Sequence, residues 1–199
     1  MVCKAQTLMQ VLALSTLLTA CVSAPPTHFY VLEAKSLSGA VAAHDTKISV
    51  IGIGPLSIPT LLDRKQIITR SGQNTVQIAE FHQWAAPLHD SMIEVITQNV
   101  TSLQSRHVIR SYPWSAYGAV NYRVIIDIDR FDTKPGSAVV LQARWAIMNE
   151  IDHVVLANHH SSIEHALKDT TFSATVKALS GVLYEFSQQI SQALDDLKQ

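Results

Sequence analysis

The segment YRVIIDIDRF, residues 122–131, carries the clearest indication of the fold. Apolar and polar side chains alternate along it: Val124, Ile126 and Ile128 on one side, Arg123, Asp127 and Asp129 on the other. Such alternation is typical of a strand with one buried face and one face in water. We therefore predict a strand over residues 122–131.

The segments that follow repeat this pattern. Residues 134–137, Lys-Pro-Gly-Ser, predict a turn, and residues 139–147 alternate again as a second strand. A second turn at residues 149–152 leads into a third strand over residues 153–161. Three strands joined by short turns predict an antiparallel meander.

Shorter apolar runs predict further strands earlier in the chain. They lie at residues 29–32, 47–53, 66–70, 75–81 and 106–112. Gly52, Gly54, Pro55 and Pro59 are expected to break the second of these, because glycine and proline interrupt regular strands. A loop is expected over residues 36–45, and a turn at residues 71–74.

Two segments have helical periodicity. Pro87 suits the first position of a helix, and apolar residues follow at helical spacing as far as Leu103. From Phe172 to Leu197, apolar residues recur at alternating steps of four and three, which gives a continuous stripe. The stripe predicts packing against the sheet, and a coiled-coil contact with a second copy is the alternative. The fold class predicted is α+β: an antiparallel or mixed sheet with two main helices on one face, in a two-layer sandwich with a long C-terminal helix.

The N-terminus has the pattern of an export signal. One basic residue, Lys4, precedes an apolar stretch over residues 7–18, which is too short to span a bilayer as a permanent helix. The stretch ends in Leu18-Thr19-Ala20-Cys21, which looks like a lipobox. We expect a signal peptide over residues 1–20 and lipid on Cys21; an ordinary signal peptide that happens to contain a cysteine is the alternative.

Cysteine usage agrees with a lipidated N-terminus. Cys3 lies in the segment expected to be removed, so Cys21 is the only cysteine of the mature chain and no intramolecular disulfide can form. Val22 follows it instead of the aspartate that holds lipoproteins at the inner membrane, which favours the outer membrane. Residues 21–28 predict a tether with two prolines, and residues 29–199 a single domain.

Composition excludes some functions. The chain of 199 residues is 47% hydrophobic and 16% charged, with a formal net charge of −1 and no long run of like charge. This composition offers neither the basic footprint of a nucleic-acid-binding protein nor a polybasic membrane patch.

No pattern in the sequence favours catalysis or a metal site. Asp127, Asp129 and Asp132 lack the glycine and glutamate of a calcium loop, and we expect solvated carboxylates near Arg123 or Arg144. The histidines His153, His159, His160 and His165 lack the spacing of a zinc site, and their role stays open. The glycines at 52 and 54 lack the third glycine of a dinucleotide fingerprint, and the serines have no identifiable base partner. We expect no enzyme, no metal and no cofactor.

Several motifs together resemble those of the ABC-type transport auxiliary lipoproteins (PqiC/YmbA-like). They are FYVL at residues 29–32, IGIGPLSIP at 51–59, LDRKQIITR at 62–70, AEFHQWAAPL at 79–88, DRFD at 129–132 and ARW at 143–145. The likeness covers nearly all of the expected mature chain. The histidine-rich third strand of the meander is the main departure, since the family has no fixed pattern there.

The resemblance implies a non-catalytic role at the outer membrane, with the lipid-anchored domain on its periplasmic face. Family members look like the outer-membrane component of an intermembrane phospholipid transport system that supports envelope integrity. The implied partners are an MCE-domain periplasmic protein, which would form the bridge, and an inner-membrane transport component. A homo-oligomeric ring would suit such a bridge. A general lipoprotein for outer-membrane assembly or stabilisation is the alternative function.

Partner-binding residues are expected in residues 52–70, whose prolines and glycines predict an ordered loop. The candidates are Asp63, Arg64 and Arg70. The alternative is structural: the three side chains would form a local salt-bridge network that holds the loop.

Overall fold

The computed structural model describes residues 25–35, 48–114 and 118–197. In chain order its elements are β1 (His28–Tyr30), β2 (Val50–Ser57), β3 (Gln66–Arg70), β4 (Val76–Trp84), α1 (Leu88–Leu103), β5 (Val108–Ser111), β6 (Tyr122–Lys134), β7 (Ala138–Asn149), β8 (Val154–Ala166) and α2 (Phe172–Asp196). The expected signal peptide, Cys21 and the expected loop over residues 36–45 lie outside the described residues. Of the expected tether, the structure describes only residues 25–28.

The longest strands form the predicted meander. β6 pairs antiparallel with β7, and β7 pairs antiparallel with β8. Along β6, the side chains of Val124, Ile126 and Ile128 are buried while Asp127 and Asp129 are exposed, as the alternation predicts. The meander of the sequence analysis is confirmed, and each strand is longer than predicted.

The other side of β6 carries two strands in series. β2 pairs in parallel with the first half of β6, from Ile51 opposite Tyr122 to Ser57 opposite Asp127. β3 pairs in parallel further along, with Thr69 opposite Thr133. One 13-residue strand therefore aligns two shorter strands end to end, and residues 58–65 connect them.

The remaining strands extend the sheet beyond β2 and β3, on the side of β6 away from β7. β4 pairs antiparallel with β3, β1 pairs in parallel with β4, and β5 pairs in parallel with β2. The eight strands thus form one mixed sheet, which agrees with the predicted class.

Both helices pack on the sheet and against each other. The predicted stripe of α2 is buried, with Leu183, Phe186 and Ile190 fully inaccessible to solvent. Thr171 caps the helix, its hydroxyl accepting a hydrogen bond from the backbone N–H of Ala174. Because the sheet and α1 cover the stripe, it packs as predicted within the domain.

Two polar contacts join the helices inside this core. The amide of Asn99 donates to Ser187 Oγ, and the amide of Gln104 donates to the carbonyl and hydroxyl oxygens of Ser191. A buried polar group without a partner is destabilising, so these pairs favour one register of α1 on α2.

Within the described ranges, no helix is both long and apolar enough to cross a membrane.

The packing of α2 gives a first prediction. Phe186→Ala removes a fully buried ring that lies edge-on to Trp145 at 6.0 Å between ring centroids. We expect a loss of about 3–5 kcal/mol in the free energy of unfolding, measured by urea denaturation. Gln188→Ala, at an exposed position of the same helix, is the control and should change it by less than about 0.5 kcal/mol. A loss below about 1 kcal/mol for Phe186→Ala would contradict the packing described.

Candidate functional site

The segment over residues 52–70 is not one ordered loop, and that expectation is wrong. It contains the strands β2 and β3, and only residues 58–65 form a loop. β2 continues through Gly54 and Pro55 because its register against β6 shifts between Ile53 and Leu56. Such an irregularity accommodates a proline, which cannot donate to the ladder.

The glycines of β2 are needed for space and backbone conformation. A Cβ on Gly52 would lie 2.7 Å from the Trp114 ring. Gly54 has a φ of 117°, a region open mainly to glycine. The residues that predicted a break in the strand therefore allow it to continue.

Residues 58–65, which we call the docking loop because partner binding is expected in this segment, are held at both ends. Trp84 donates its backbone N–H to the carbonyl of Lys65 at 2.7 Å, and the His89 ring contacts the carbonyl of Leu56 at 2.8 Å. Within the loop, Leu62 is buried whereas Leu61 is 38% exposed. The loop is thus an ordered surface with an apolar side chain at its centre.

The three candidate residues are not brought together. Asp63 and Arg64 lie in the docking loop, where Arg64 Nε donates to the carbonyl of Leu61 at 3.0 Å. Arg70 lies at the far end of β3 and pairs with Asp132 of β6. Among the described residues, no salt bridge links Asp63, Arg64 and Arg70 to one another, so a single network holding the loop is wrong.

Asp132 is a buried carboxylate shared by two guanidinium groups. Its side chain is 5% exposed, and its oxygens lie 2.5 Å from Arg70 Nε and 2.9 Å from Arg130 Nη2. The expectation of a solvated carboxylate is therefore wrong for Asp132. The register of β6 against β7 shifts between Ile128 and Arg130, so the simple alternation ends before this residue.

The two other aspartates of this strand are exposed, as expected. Asp129 pairs with Arg144, with Arg144 Nη2 at 2.8 Å from its Oδ1. The hydrogen bond from Arg144 is the main cause that lowers the pKa of Asp129. Asp127 accepts a hydrogen bond from Ser57 Oγ at 2.5 Å, which ties β6 to the end of β2.

The histidines of the meander have separate environments. His159 stacks on Trp145 at 4.2 Å, and His165 Nε2 lies 2.7 Å from Glu185 Oε2 on α2. His160 lies close enough to Asp129 to lower the pKa of that carboxyl further. His153 lies in the turn before β8 with a φ of 55°. No group of three potential metal ligands occurs in the described parts of the chain.

Sequence reasoning missed an aromatic cluster next to the tether. His82 of β4 stacks on Phe172 of α2 at 3.8 Å and on His28 of β1 at 5.3 Å. The Tyr30 hydroxyl also lies 2.7 Å from His82 Nδ1. Residues 28, 82 and 172 are too far apart for any local pattern to predict their contact. The cluster fixes the first strand after the tether to the rest of the domain.

Two histidines have pKa values shifted in opposite directions. The hydrogen bond with Asp90 is the main cause that raises the pKa of His89, helped by the Leu56 carbonyl and the charge of Asp63 and opposed by burial. Burial is the main cause that lowers the pKa of His82, and repulsion from His28 lowers it further.

These shifts give a second prediction. Protonated His89 stabilises the folded state, so its contribution is complete below the unfolded pKa of about 6.5 and is lost as pH rises through the folded pKa. The difference in free energy of unfolding between the wild type and His89→Gln should therefore fall between about pH 5.5 and about pH 8.5. Urea denaturation at both pH values measures it.

His82 provides an internal control of opposite sign. Because its pKa is lowered in the folded state, its contribution should be lost as pH falls below about 6.5. The difference between the wild type and His82→Gln should therefore grow towards high pH. The same trend in both variants would mean that the contacts described for one of the two rings are wrong.

Comparison with known proteins identifies the family. The model of the ABC-type transport auxiliary lipoprotein component matches residues 30–191. The chain belongs to this family. The match runs from β1 to α2, so it includes the docking loop and the pairing of Arg70 with Asp132. The family resemblance inferred from the sequence motifs is confirmed.

Solved structures share the fold of this auxiliary lipoprotein. A crystal structure of an uncharacterised protein aligns with a TM-score of 0.72 and 16% identity, covering 85% of this chain and 99% of the other. Protein XCC0632 from Xanthomonas campestris aligns with a TM-score of 0.69 and 14% identity, covering 87% and 100%. At these identities the likeness shows the fold alone. No curated protein matches the chain.

Proposed function

We propose that this auxiliary lipoprotein is a non-catalytic outer-membrane component of an intermembrane phospholipid transport system. It docks an MCE-type periplasmic bridge, which connects it to an inner-membrane transport component, and so supports envelope integrity. The observation that carries the proposal is the order of parts: a lipobox ending at Cys21, a short tether, and then the family domain from residue 30. This order suits a domain kept at a membrane surface to hold a partner.

The proposed anchor is lipid on Cys21 after removal of residues 1–20. Each buried CH₂ group contributes roughly 0.8 kcal/mol, and one acyl chain gives only marginal binding. Two or more chains on one cysteine would make attachment stable. Val22 in place of aspartate supports the outer membrane as the destination.

The direction of β1 indicates which end of the domain faces this anchor. β1 runs parallel to β4, with His28 opposite His82 and Tyr30 opposite Trp84. In our proposal the chain before His28 continues the direction of β1, which leads towards the β4 end at Val76. Arg70 pairs with Val76 at that end, which supports it as the anchored end of the domain.

The docking loop lies towards the opposite end of β3. It precedes Gln66 and is bonded to Trp84 at the other end of β4. The proposed orientation holds this loop farther from the bilayer than Arg70, which suits contact with a periplasmic bridge. Asp63 and Arg64, beside the exposed Leu61, are the proposed partner-binding residues there. Arg70, proposed alongside them from the sequence, belongs to the anchored end.

Lipidation at Cys21 gives a third prediction. Cys21→Ala should prevent cleavage before residue 21 and abolish incorporation of radiolabelled palmitate. Where the signal peptide of this variant is cleaved at another site, the protein should be absent from the outer-membrane fraction. The Cys3→Ala variant, whose cysteine lies in the expected signal peptide, should label like the wild type. Palmitate labelling of the Cys21→Ala variant would contradict the proposed anchor.

Docking through the loop gives a fourth prediction. Arg64→Ala should reduce recovery of the MCE-domain protein in pull-downs from cells, because the loop loses a cation near its exposed apolar residue. The melting temperature should stay within about 2 °C of the wild type, since surface substitutions rarely change stability by more than 0.5 kcal/mol. Lys177→Ala, at an exposed position on α2, is the matched control.

Photo-crosslinking from position 61 separates this function from its alternative. Crosslinks to an MCE-domain protein support docking. Crosslinks only to an integral outer-membrane protein would contradict it and favour a general assembly role. Native mass spectrometry of the purified lipoprotein tests independently whether it forms the homo-oligomeric ring that would suit such a bridge.

A further inference from the structure

Basic residues surround a pocket at the anchored end of the domain. The pocket has a volume of about 320 Å³ and lies between the β3–β4 turn and the C-terminal part of β6. Its lining, which we call the basic pocket, is Arg70, Gly72, Gln73, Arg130 and Lys134. Three of these five residues are cations.

The charges in and around the basic pocket do not balance. Asp132 neutralises part of the charge of Arg70 and Arg130, but it is a single carboxylate between two guanidinium groups. Lys134 is exposed, and no carboxylate of the described residues lies within salt-bridge distance of its ammonium group. Three positive charges therefore face one negative charge, which leaves an electrostatic preference for an anion.

The guanidinium groups are oriented before any ligand binds. Asp132 engages Nε of Arg70 and both Nε and Nη2 of Arg130, and Arg70 Nη1 donates to the carbonyl of Gln73 at 3.3 Å. Each guanidinium has five N–H donors, so several are left for a ligand. A site whose donors are already held binds with a smaller loss of side-chain freedom.

We propose that the basic pocket binds a phosphoryl group. Two guanidinium groups and one ammonium group can donate together to the several oxygens of a tetrahedral phosphate, whereas one carboxylate offers only two. Gly72 at the rim leaves space for such a group, since an added Cβ there would meet nothing closer than 3.7 Å.

The position of the basic pocket identifies the head of a membrane phospholipid as the source of the phosphoryl group. This step rests on the proposed anchor. Six residues lie between Cys21 and His28, and the seven residue-to-residue steps that join them span at most about 25 Å. From His82 to Val76, β4 covers six residue-to-residue steps, about 20 Å, in the direction in which the tether is proposed to leave β1. The tether is therefore too short to hold the pocket far from the headgroups.

Binding can be tested on the full-length lipoprotein in an uncharged detergent. The Nε–H resonances of Arg70 and Arg130 are followed by NMR while one of three probes is added: dihexanoyl phosphatidylglycerol, inorganic phosphate or dihexanoylglycerol. We expect shifts with the first two probes and none with dihexanoylglycerol, which has no phosphate. Affinity should also fall as salt is added.

Two matched lysine variants make the test specific. Lys134→Gln should weaken binding of the phosphoglycerol lipid about five-fold, the effect of one basic side chain at an anionic surface. Lys177→Gln carries the same charge change on the exposed side of α2 and should bind like the wild type. Equal affinity in the Lys134→Gln and wild-type proteins would overturn the proposal, as would resonances that no phosphorylated probe moves.

The outcomes also distinguish a lipid headgroup from free phosphate as the ligand, and a failure of the basic pocket from a failure of the proposed anchor. Shifts with inorganic phosphate but not with the phosphatidylglycerol would assign the pocket to free phosphate and reject the lipid headgroup. The mass of the same sample reports whether Cys21 carries lipid. Lipid on Cys21 without anion binding would refute the pocket alone. Anion binding without that lipid would refute the anchor, and with it the lipid headgroup as the source, but not phosphoryl binding by the pocket.

Discussion

Pairing along β6 is the constraint on which the rest of the structure depends. One edge of this strand is occupied by β7, and the other aligns β2 and β3 in series. Its apolar side, including Val124, Ile126 and Ile128, is buried in the common core with α2. A register slip of one residue would turn these side chains to solvent and bring Asp127 and Asp129 into the core. The alternation along this strand therefore determines the register of β6 in the sheet.

Alignment by β6 also determines where the proposed sites lie along the sheet. Because β2 and β3 follow each other along one edge, the docking loop between them leaves and rejoins this edge between Asp127 and Thr133 of β6. Because β4 returns beside β3 and β1 runs parallel to β4, the direction of β1 supports the proposal that the tether leaves towards Arg70. Buried Asp132 couples that end of β3 to β6 by pairing with both Arg70 and Arg130. The proposed positions of the anchor, the basic pocket and the docking loop relative to one another follow from one strand order.

The sequence predicts the elements whose periodicity is long and local. The meander and both helices carry ten or more residues of regular pattern, and β3 was predicted with its bounds as observed. The shifts in strand register, by contrast, are not predicted by the sequence. A pattern of glycine and proline indicates interruption, but the pairing of β2 with the long β6 keeps the strand intact across Gly54 and Pro55.

The site was less predictable because its contacts are distant in sequence. Asp63, Arg64 and Arg70 are close along the chain, yet the partner of Arg70 lies 62 residues further on. The aromatic cluster joins three separate elements in the same way. The glycines and prolines of residues 52–70 drew attention to the segment that ends at Arg70, but only the strand order shows which residue Arg70 pairs with.

The orientation of the domain on the membrane is the most direct test of this account. An introduced cysteine at Asn74, in the turn after β3, or at Thr60, in the docking loop, can carry a fluorophore, because Cys21 is the only other cysteine expected in the mature chain. Energy transfer to acceptor lipids is then measured in nanodiscs that hold the lipoprotein. The length of β3, about 17 Å, separates the two positions, so transfer should be clearly stronger from position 74. Equal transfer, or stronger transfer from position 60, would contradict an anchored end at Arg70 and a docking loop facing the periplasm.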